Sequence, residues 1–138
     1  MPFCRSKCRY CGFYSAPYEG ALFFPYCDAL AGQIDSLAGE FRTIYIGGGT
    51  PTVLDLGSLK KILLSLRKYS GKNVEFTIEA NPESLAMDKL SLFLDEGVNR
   101  ISIGLQSFDN SKLKRLGRLH DGPSAVEAVT KARNAGFK

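Results

Sequence analysis

Three of the four cysteines in this 138-residue chain lie close together near its first residue. Cys4, Cys8 and Cys11 are separated by three and then by two residues, which lets three thiolates in one loop converge on one centre. Gly12 follows the third cysteine and allows the backbone to turn away. The spacing therefore predicts a metal centre that is held by three thiolates.

The kind of centre depends on whether a fourth ligand exists. A structural zinc ion normally takes four protein ligands, and only Cys27 and His120 remain in the chain to supply a further thiolate or imidazole. Cys27 falls within a predicted helix, where a buried small side chain is expected, and His120 precedes another helix, where capping or packing is expected. A [4Fe–4S] cluster with three cysteine ligands instead keeps one iron free for a substrate or cofactor. The residues alone leave both a cluster and a structural zinc domain open.

Composition and charge narrow the class of protein. Hydrophobic residues make up 44% of the chain and charged residues 23%, as expected for a soluble globular domain. No apolar run approaches the roughly 18 residues of a membrane span, and the first residues do not resemble a secretory signal, so a cytoplasmic, reducing location is expected. Thiols in that setting bind metals rather than form disulfides. The net charge of +4 is too small to predict a nucleic-acid partner.

Hydrophobic periodicity predicts short apolar strands that alternate with helices. The strands are expected at residues 42–46, 74–78 and 99–105, and the helices at residues 21–37, 58–69, 84–96 and 123–135. Ser58 and Asp121 are the expected N-caps of the second and the last of these helices. The basic run over residues 112–118 is expected to form a solvated helical face, and Phe137 and Lys138 to approach a further strand.

This alternation predicts an α/β fold in which helices cover a parallel sheet. Right-handed crossovers place every strand-to-helix loop at the same end of such a sheet, so the cysteine loop, residues 47–49, Glu79 and Gln106 should share one face. A strand is expected before Pro2 and another after the last residue. Residues 1–138 are therefore expected to be the amino-terminal portion of a single domain, about the first half of a partial, TIM-like (β/α) barrel.

The pattern Cys4-x-x-x-Cys8-x-Tyr10-Cys11 resembles the signature of the radical S-adenosylmethionine (SAM) superfamily. The resemblance implies a [4Fe–4S] cluster whose free iron chelates the amino and carboxylate groups of SAM. It also implies an electron donor for the cluster, because an electron from the cluster cleaves SAM to release a 5′-deoxyadenosyl radical. The glycine run at residues 47–49 is similar to the motif that takes the methionine amino group in this superfamily.

A longer resemblance points to one branch of the superfamily. Residues 78–82, 97–108 and 116–120 resemble the proteins related to oxygen-independent coproporphyrinogen III oxidase. The resemblance implies that Glu79 contacts SAM, that Gln106 contacts the ribose, and that Arg118 pairs with the methionine carboxylate. The cofactor-binding residues implied in this way are Tyr10, Gly48, Gly49, Thr50, Glu79, Gln106 and Arg118.

Phe13 separates two subgroups of that branch. The oxidases carry a further cysteine two places after the third ligand, whereas this chain has Phe13 there. Together with residues 79–82 and 117–120, Phe13 resembles the haem chaperone subgroup, which implies haem binding and delivery of haem to respiratory apoproteins. The alternative is an oxidase that converts two propionates of the porphyrin substrate coproporphyrinogen III to vinyl groups. His120 is then either a haem ligand or a packing residue.

Overall fold

The computed structural model describes residues 1–18 and 22–137. Strands and helices alternate through most of this part of the chain, as the sequence predicts. The strands are β1 (Phe3–Cys4), β2 (Ala16–Pro17), β3 (Thr43–Ile46), β4 (Glu75–Ala80) and β5 (Arg100–Ile103), and the helices are α1 (Phe23–Asp35), α2 (Leu56–Arg67), α3 (Met87–Asp95), α4 (Asn110–Leu116) and α5 (Gly122–Ala135). Short 3-10 turns lie at Pro51–Val53 and Pro82–Ser84.

The central sheet is parallel and has the strand order β3-β4-β5. Ile46 of β3 pairs with Ile78 of β4, and Ala80 of β4 pairs with Ile103 of β5. The carboxyl ends of all three strands therefore lie at one edge of the sheet, where the following loops meet. The predicted α/β fold with a parallel sheet and a partial barrel architecture is confirmed.

The helices form a layer on one face of this sheet. Helix α1 contacts α2, α2 contacts α3, and α3 contacts α5. On β3, Ile44 and Ile46 are buried while Tyr45 between them is exposed, so β3 alternates rather than forming the continuous apolar run that the sequence predicted. The fully buried side chains of Phe76 on β4 and Phe93 on α3 belong to the same core.

Two helix starts differ from the prediction. Asp55, not Ser58, is the N-cap of α2, and its Oδ1 accepts a hydrogen bond from the Ser58 backbone N–H at 2.9 Å. Helix α3 begins at Met87 rather than at Ser84, because the 3-10 turn occupies the preceding residues and Leu85 is extended. The Asp121 cap is confirmed by its bond from the Ser124 N–H at 2.9 Å.

The structure also adds a pair of short strands to the predicted fold and shows where the basic run lies. Strands β1 and β2 pair in parallel, a contact that the sequence did not predict. The basic run belongs partly to α4, which is capped by Asp109 and ends at Gly117, whose φ of +75° suits glycine. The start of the first predicted helix at Ala21 and the predicted strand residue Lys138 lie outside the described residues. Among the helices described, none has the length and apolar character that crossing a membrane requires.

The cap of α2 yields a test of stability. We expect Asp55→Ala to lower the free energy of unfolding by about 1 kcal/mol, because the Ser58 N–H loses its acceptor. Asp95→Ala is the matched control, since Asp95 is exposed at the end of α3, and it should cost less than about 0.5 kcal/mol. Thermal unfolding of the three proteins measures both values, and equal losses would contradict the cap.

The same cap predicts a pH dependence. Partial burial pushes the pKa of Asp55 upward, but hydrogen bonds from the Ser58 N–H and hydroxyl outweigh it and hold this pKa below its ordinary value. A carboxyl with a lowered pKa stabilises the fold above the unfolded pKa of about 3.9 and loses that effect as the pH falls through the folded pKa. The difference in stability between the parent protein and Asp55→Ala should therefore shrink below about pH 4.

Candidate functional site

One cavity of about 330 Å³ lies where the loops after β3, β4 and β5 meet the cysteine loop, residues 4–15. All ten site residues that the sequence predicts line this cavity. They are Cys4, Cys8, Tyr10, Cys11, Gly48, Gly49, Thr50, Glu79, Gln106 and Arg118. Segments separated by up to about a hundred residues are thus brought together by the parallel sheet, although the binding role of each residue stays a prediction.

Backbone hydrogen bonds hold the cysteine loop in place. The Ala16 N–H donates to the carbonyl of Pro2 at 2.7 Å, which closes the base of the loop through β1 and β2. The Cys11 N–H donates to the carbonyl of Cys8 and forms a turn, and the Arg9 N–H donates to the carbonyl of Leu116 in α4. The three cysteines are free and partly exposed within this frame.

The two other candidate metal ligands lie elsewhere. Cys27 is only 2% exposed within α1, and burial raises the pKa of its thiol. The ring of His120 is buried, with Nδ1 3.3 Å from Glu83 Oε2 and Nε2 3.1 Å from the carbonyl oxygen of Leu105. Neither residue lines the cavity, so neither lies beside the three cysteines as a fourth zinc ligand would.

The three cysteines provide the kind of ligands that an iron–sulfur cluster takes. Among the residues described, no three His, Cys, Asp or Glu side chains converge closely enough to hold one metal ion. A four-iron cluster gives each thiolate its own iron, so its cysteine ligands stand further apart than those of one zinc ion. Three free thiols line one shared cavity, which matches the ligand number of a cluster with one free iron.

The glycine loop is packed against the cysteine loop. A Cβ atom at Gly49 would lie 2.5 Å from the carbonyl oxygen of Phe3, so only glycine fits there. The Thr50 N–H donates to the same carbonyl at 2.7 Å. Gly48 has a φ of +110°, which also favours glycine. The glycines are therefore needed for the approach of two protein segments, and the close approach of a cofactor that the resemblance implies stays a prediction.

Both oxygens of the Glu79 carboxylate are held by the protein. The Tyr45 hydroxyl donates to Oε1 at 2.6 Å, and the Gly48 N–H donates to Oε2 at 3.1 Å. The hydrogen bond to Glu79 raises the pKa of Tyr45. The sequence placed Tyr45 only within a strand; the alternation of a tyrosine between two isoleucines was the available signal that its side chain lies outside the core.

Arg118 is fixed by acceptors from three segments. Its Nη2 donates to Asn81 Oδ1 at 2.7 Å and to the carbonyl of Gly104 at 2.9 Å, while Nη1 lies 3.3 Å from Cys8 Sγ. A two-pronged pair with a carboxylate uses Nη2 together with Nη1 or Nε, and both Nη2 hydrogens are already donated. In this arrangement Nη2 is committed to protein acceptors, and the second Nη1 hydrogen remains for a charge-assisted bond to a carboxylate.

Three other residues shape the cavity wall. Gln106 has a φ of +58°, a left-handed conformation that costs a residue other than glycine about 1–3 kcal/mol and often marks a functional position. Tyr10 lies beside Cys8 and Arg118, and desolvation raises the pKa of its hydroxyl. Phe13 is 70% exposed at the cavity.

Comparison with known proteins places this geometry in a family. The model of the radical SAM superfamily matches residues 1–138. The haem chaperone HemW of Lactococcus lactis is 38% identical over 141 residues, which cover 100% of this chain and 37% of that protein. HemW of Escherichia coli is 37% identical over 146 residues, 100% of this chain and 39% of that protein.

A solved structure has the same fold. Coproporphyrinogen III oxidase (HemN) from Escherichia coli, described as a radical SAM enzyme, aligns with a TM-score of 0.87 and 28% identity over 100% of this chain and 34% of its own. The chain thus spans less than two fifths of the curated relatives named above. The family match over its whole length shows that this chain belongs to the radical SAM superfamily.

Proposed function

We propose that this chain is part of a haem chaperone that holds a [4Fe–4S] cluster with Cys4, Cys8 and Cys11 and binds SAM in the same cavity. The observation that carries the proposal is the convergence of all three thiols and the seven predicted cofactor residues on one cavity. Family membership supports a cluster and SAM in general, and the HemW relatives support the haem chaperone.

The residues around the cavity have distinct proposed tasks. When bound, the cluster supplies an iron without a protein ligand and the electron that SAM cleavage needs. The held carboxylate of Glu79 accepts hydrogen bonds from polar N–H or O–H groups of SAM. Gln106 binds the ribose, and Arg118 donates one charge-assisted bond to the methionine carboxylate. Tyr10 and residues 48–50 line the remaining wall.

Haem is the proposed cargo, and Phe13 is the residue that favours it. An exposed aromatic side chain stands at the cavity where the resemblance gives the oxidases another cysteine. We propose respiratory apoproteins as recipients of the haem and a separate electron donor for the cluster. Free thiols that must stay reduced favour a cytoplasmic location.

Coproporphyrinogen III oxidase is the second candidate function. The structural likeness to HemN, with its TM-score of 0.87, favours it. A single cluster and SAM site serves either function, so the cavity described above is common to both.

The cluster assignment predicts the effect of removing one thiol. After anaerobic reconstitution we expect about four irons per parent chain, and we expect Cys8→Ala to lose the broad cluster absorbance because one ligand is missing. Cys27→Ala is the control, since its thiol is buried in α1 away from the cavity, and it should keep the cluster. One tightly bound zinc and no iron in the parent, or full absorbance in Cys8→Ala, would refute the assignment.

The support that Tyr45 gives to Glu79 predicts a weaker cofactor site without it. Tyr45→Phe removes one hydrogen bond, worth about 1 kcal/mol, so we expect roughly fivefold weaker SAM binding with unchanged iron content. Tyr69→Phe is the control, because its hydroxyl donates to the carbonyl of Leu37 at 2.6 Å away from the cavity. Isothermal titration with SAM measures the affinities. Equal affinity in Tyr45→Phe and the parent would contradict this role of Tyr45.

Haem binding and oxidase turnover separate the two candidate functions. For a haem chaperone we expect a change of the haem Soret band on adding the protein and no decarboxylation of coproporphyrinogen III in the presence of SAM and a reductant. Absorbance titration and product analysis under anaerobic conditions provide the two measurements. Turnover of coproporphyrinogen III would establish the oxidase instead.

A further inference from the structure

We infer that Asn81 is a positioning residue that directs two hydrogen-bond donors at the sulfurs of Cys4 and Cys8 and thereby raises the reduction potential of the cluster. The inference rests on the proposed function, since it concerns a cluster held by those cysteines. Asn81 lines the cavity directly after β4. In the sequence, Asn81 is singled out only as one residue of the segment 78–82 that resembles the oxidase-related proteins.

The side-chain amide of Asn81 lies between the two donors. Its Nδ2 donates to Thr50 Oγ1 at 3.0 Å, and its Oδ1 accepts from Arg118 Nη2 at 2.7 Å. Beyond them, Thr50 Oγ1 lies 3.6 Å from Cys4 Sγ, and Arg118 Nη1 lies 3.3 Å from Cys8 Sγ. A continuous chain of hydrogen bonds therefore joins the two sulfurs through three side chains.

The chemistry of the three side chains fixes the direction of each bond. Arginine can only donate, so the amide oxygen of Asn81 faces Arg118 and the amide nitrogen faces Thr50. The Thr50 hydroxyl accepts this bond with a lone pair, which leaves its single proton for Cys4 Sγ. Asn81 thus decides that Thr50 acts as a donor toward the sulfur.

The backbone of Asn81 is itself well anchored. Its N–H donates to Thr52 Oγ1 at 3.4 Å, and its carbonyl accepts from the Ser84 N–H at 3.0 Å and from the Ser84 hydroxyl at 3.1 Å. Thr52 and Ser84 are buried and hydrogen-bonded to each other at 2.6 Å. The amide is therefore placed by the fold before any cluster binds.

Hydrogen bonds to the sulfurs of Cys4 and Cys8 affect the equilibrium between the oxidised and the reduced cluster. Reduction adds negative charge to the cluster and its thiolates, so a hydrogen bond to sulfur stabilises the reduced form more than the oxidised form. The contact from Arg118 also brings a positive charge to Cys8. Both effects raise the reduction potential. The amide of Asn81 orients Thr50, and it holds Arg118 together with the carbonyl of Gly104.

The test is a redox titration of the reconstituted protein, in which electron paramagnetic resonance measures the fraction of reduced cluster at each potential. We expect Asn81→Leu to shift the equilibrium about tenfold toward the oxidised cluster, which is about 59 mV for a one-electron couple. Thr50→Val keeps the shape of its side chain and removes only the donor to Cys4, so it should lower the potential by a smaller amount. Iron content is measured in each variant, so that each potential refers to loaded protein.

Asn99→Leu is the matched control. Asn99 also joins two segments through its amide, accepting from the Phe76 N–H at 2.9 Å and donating to the Val74 carbonyl at 2.8 Å. It lies at the amino ends of β4 and β5, away from the cavity, so its loss should lower stability and leave the potential unchanged.

The outcomes separate this inference from the proposed function. Unchanged potentials in Asn81→Leu and Thr50→Val, or an equal shift in Asn99→Leu, would overturn the inference alone. If Asn81→Leu does not take up iron, the reduction potential of Thr50→Val tests the inference. A lowered potential supports it, and an unchanged potential overturns it. A parent protein that bound no iron would overturn the proposed function and this inference together.

Discussion

The site depends on the close approach of two backbone segments, the start of the cysteine loop and the loop after β3. The carbonyl of Phe3 accepts the Thr50 N–H at 2.7 Å, and a Cβ at Gly49 would lie 2.5 Å from the same oxygen. A side chain at Gly49 would push the two segments apart. Because Cys4 follows Phe3 directly and Thr50 follows Gly49, this contact sets where the first thiol stands relative to the rest of the cavity.

The charged groups of the cavity are held mainly by neutral partners. Glu79 is held by a tyrosine hydroxyl and a backbone N–H, and Arg118 by an amide oxygen and a backbone carbonyl. The two charges are therefore not paired with each other, as the proposed binding of a cofactor with an ammonium and a carboxylate requires. Most of the supporting groups lie at or just after the carboxyl ends of strands β3, β4 and β5, which are hydrogen-bonded to one another.

The sequence predicted the class of fold because it depends on local patterns, whereas most of the expected site residues came from the family resemblance, and their binding roles stay predictions. Apolar runs that end at glycine or before Asn81 and Pro82 located the main strands, and the spacing of Cys4, Cys8 and Cys11 located the loop. The roles of Tyr45 and Asn81 could not be predicted, since each depends on which residues of neighbouring strands and loops stand beside it. Ser58 was mistaken for a cap because Asp55, three residues earlier, can cap equally well and only the backbone decides between them. Strands β1 and β2 have two residues each, too few to show a period.

The most direct test of a three-thiolate cluster with one free iron is the electron paramagnetic resonance spectrum of the reduced protein with and without SAM. The free iron is the only one that a cofactor can reach without displacing a thiolate. We predict a reduced [4Fe–4S] signal whose g-values change when SAM is added. An identical spectrum in the presence of saturating SAM, or no cluster signal in the reconstituted protein, would contradict this.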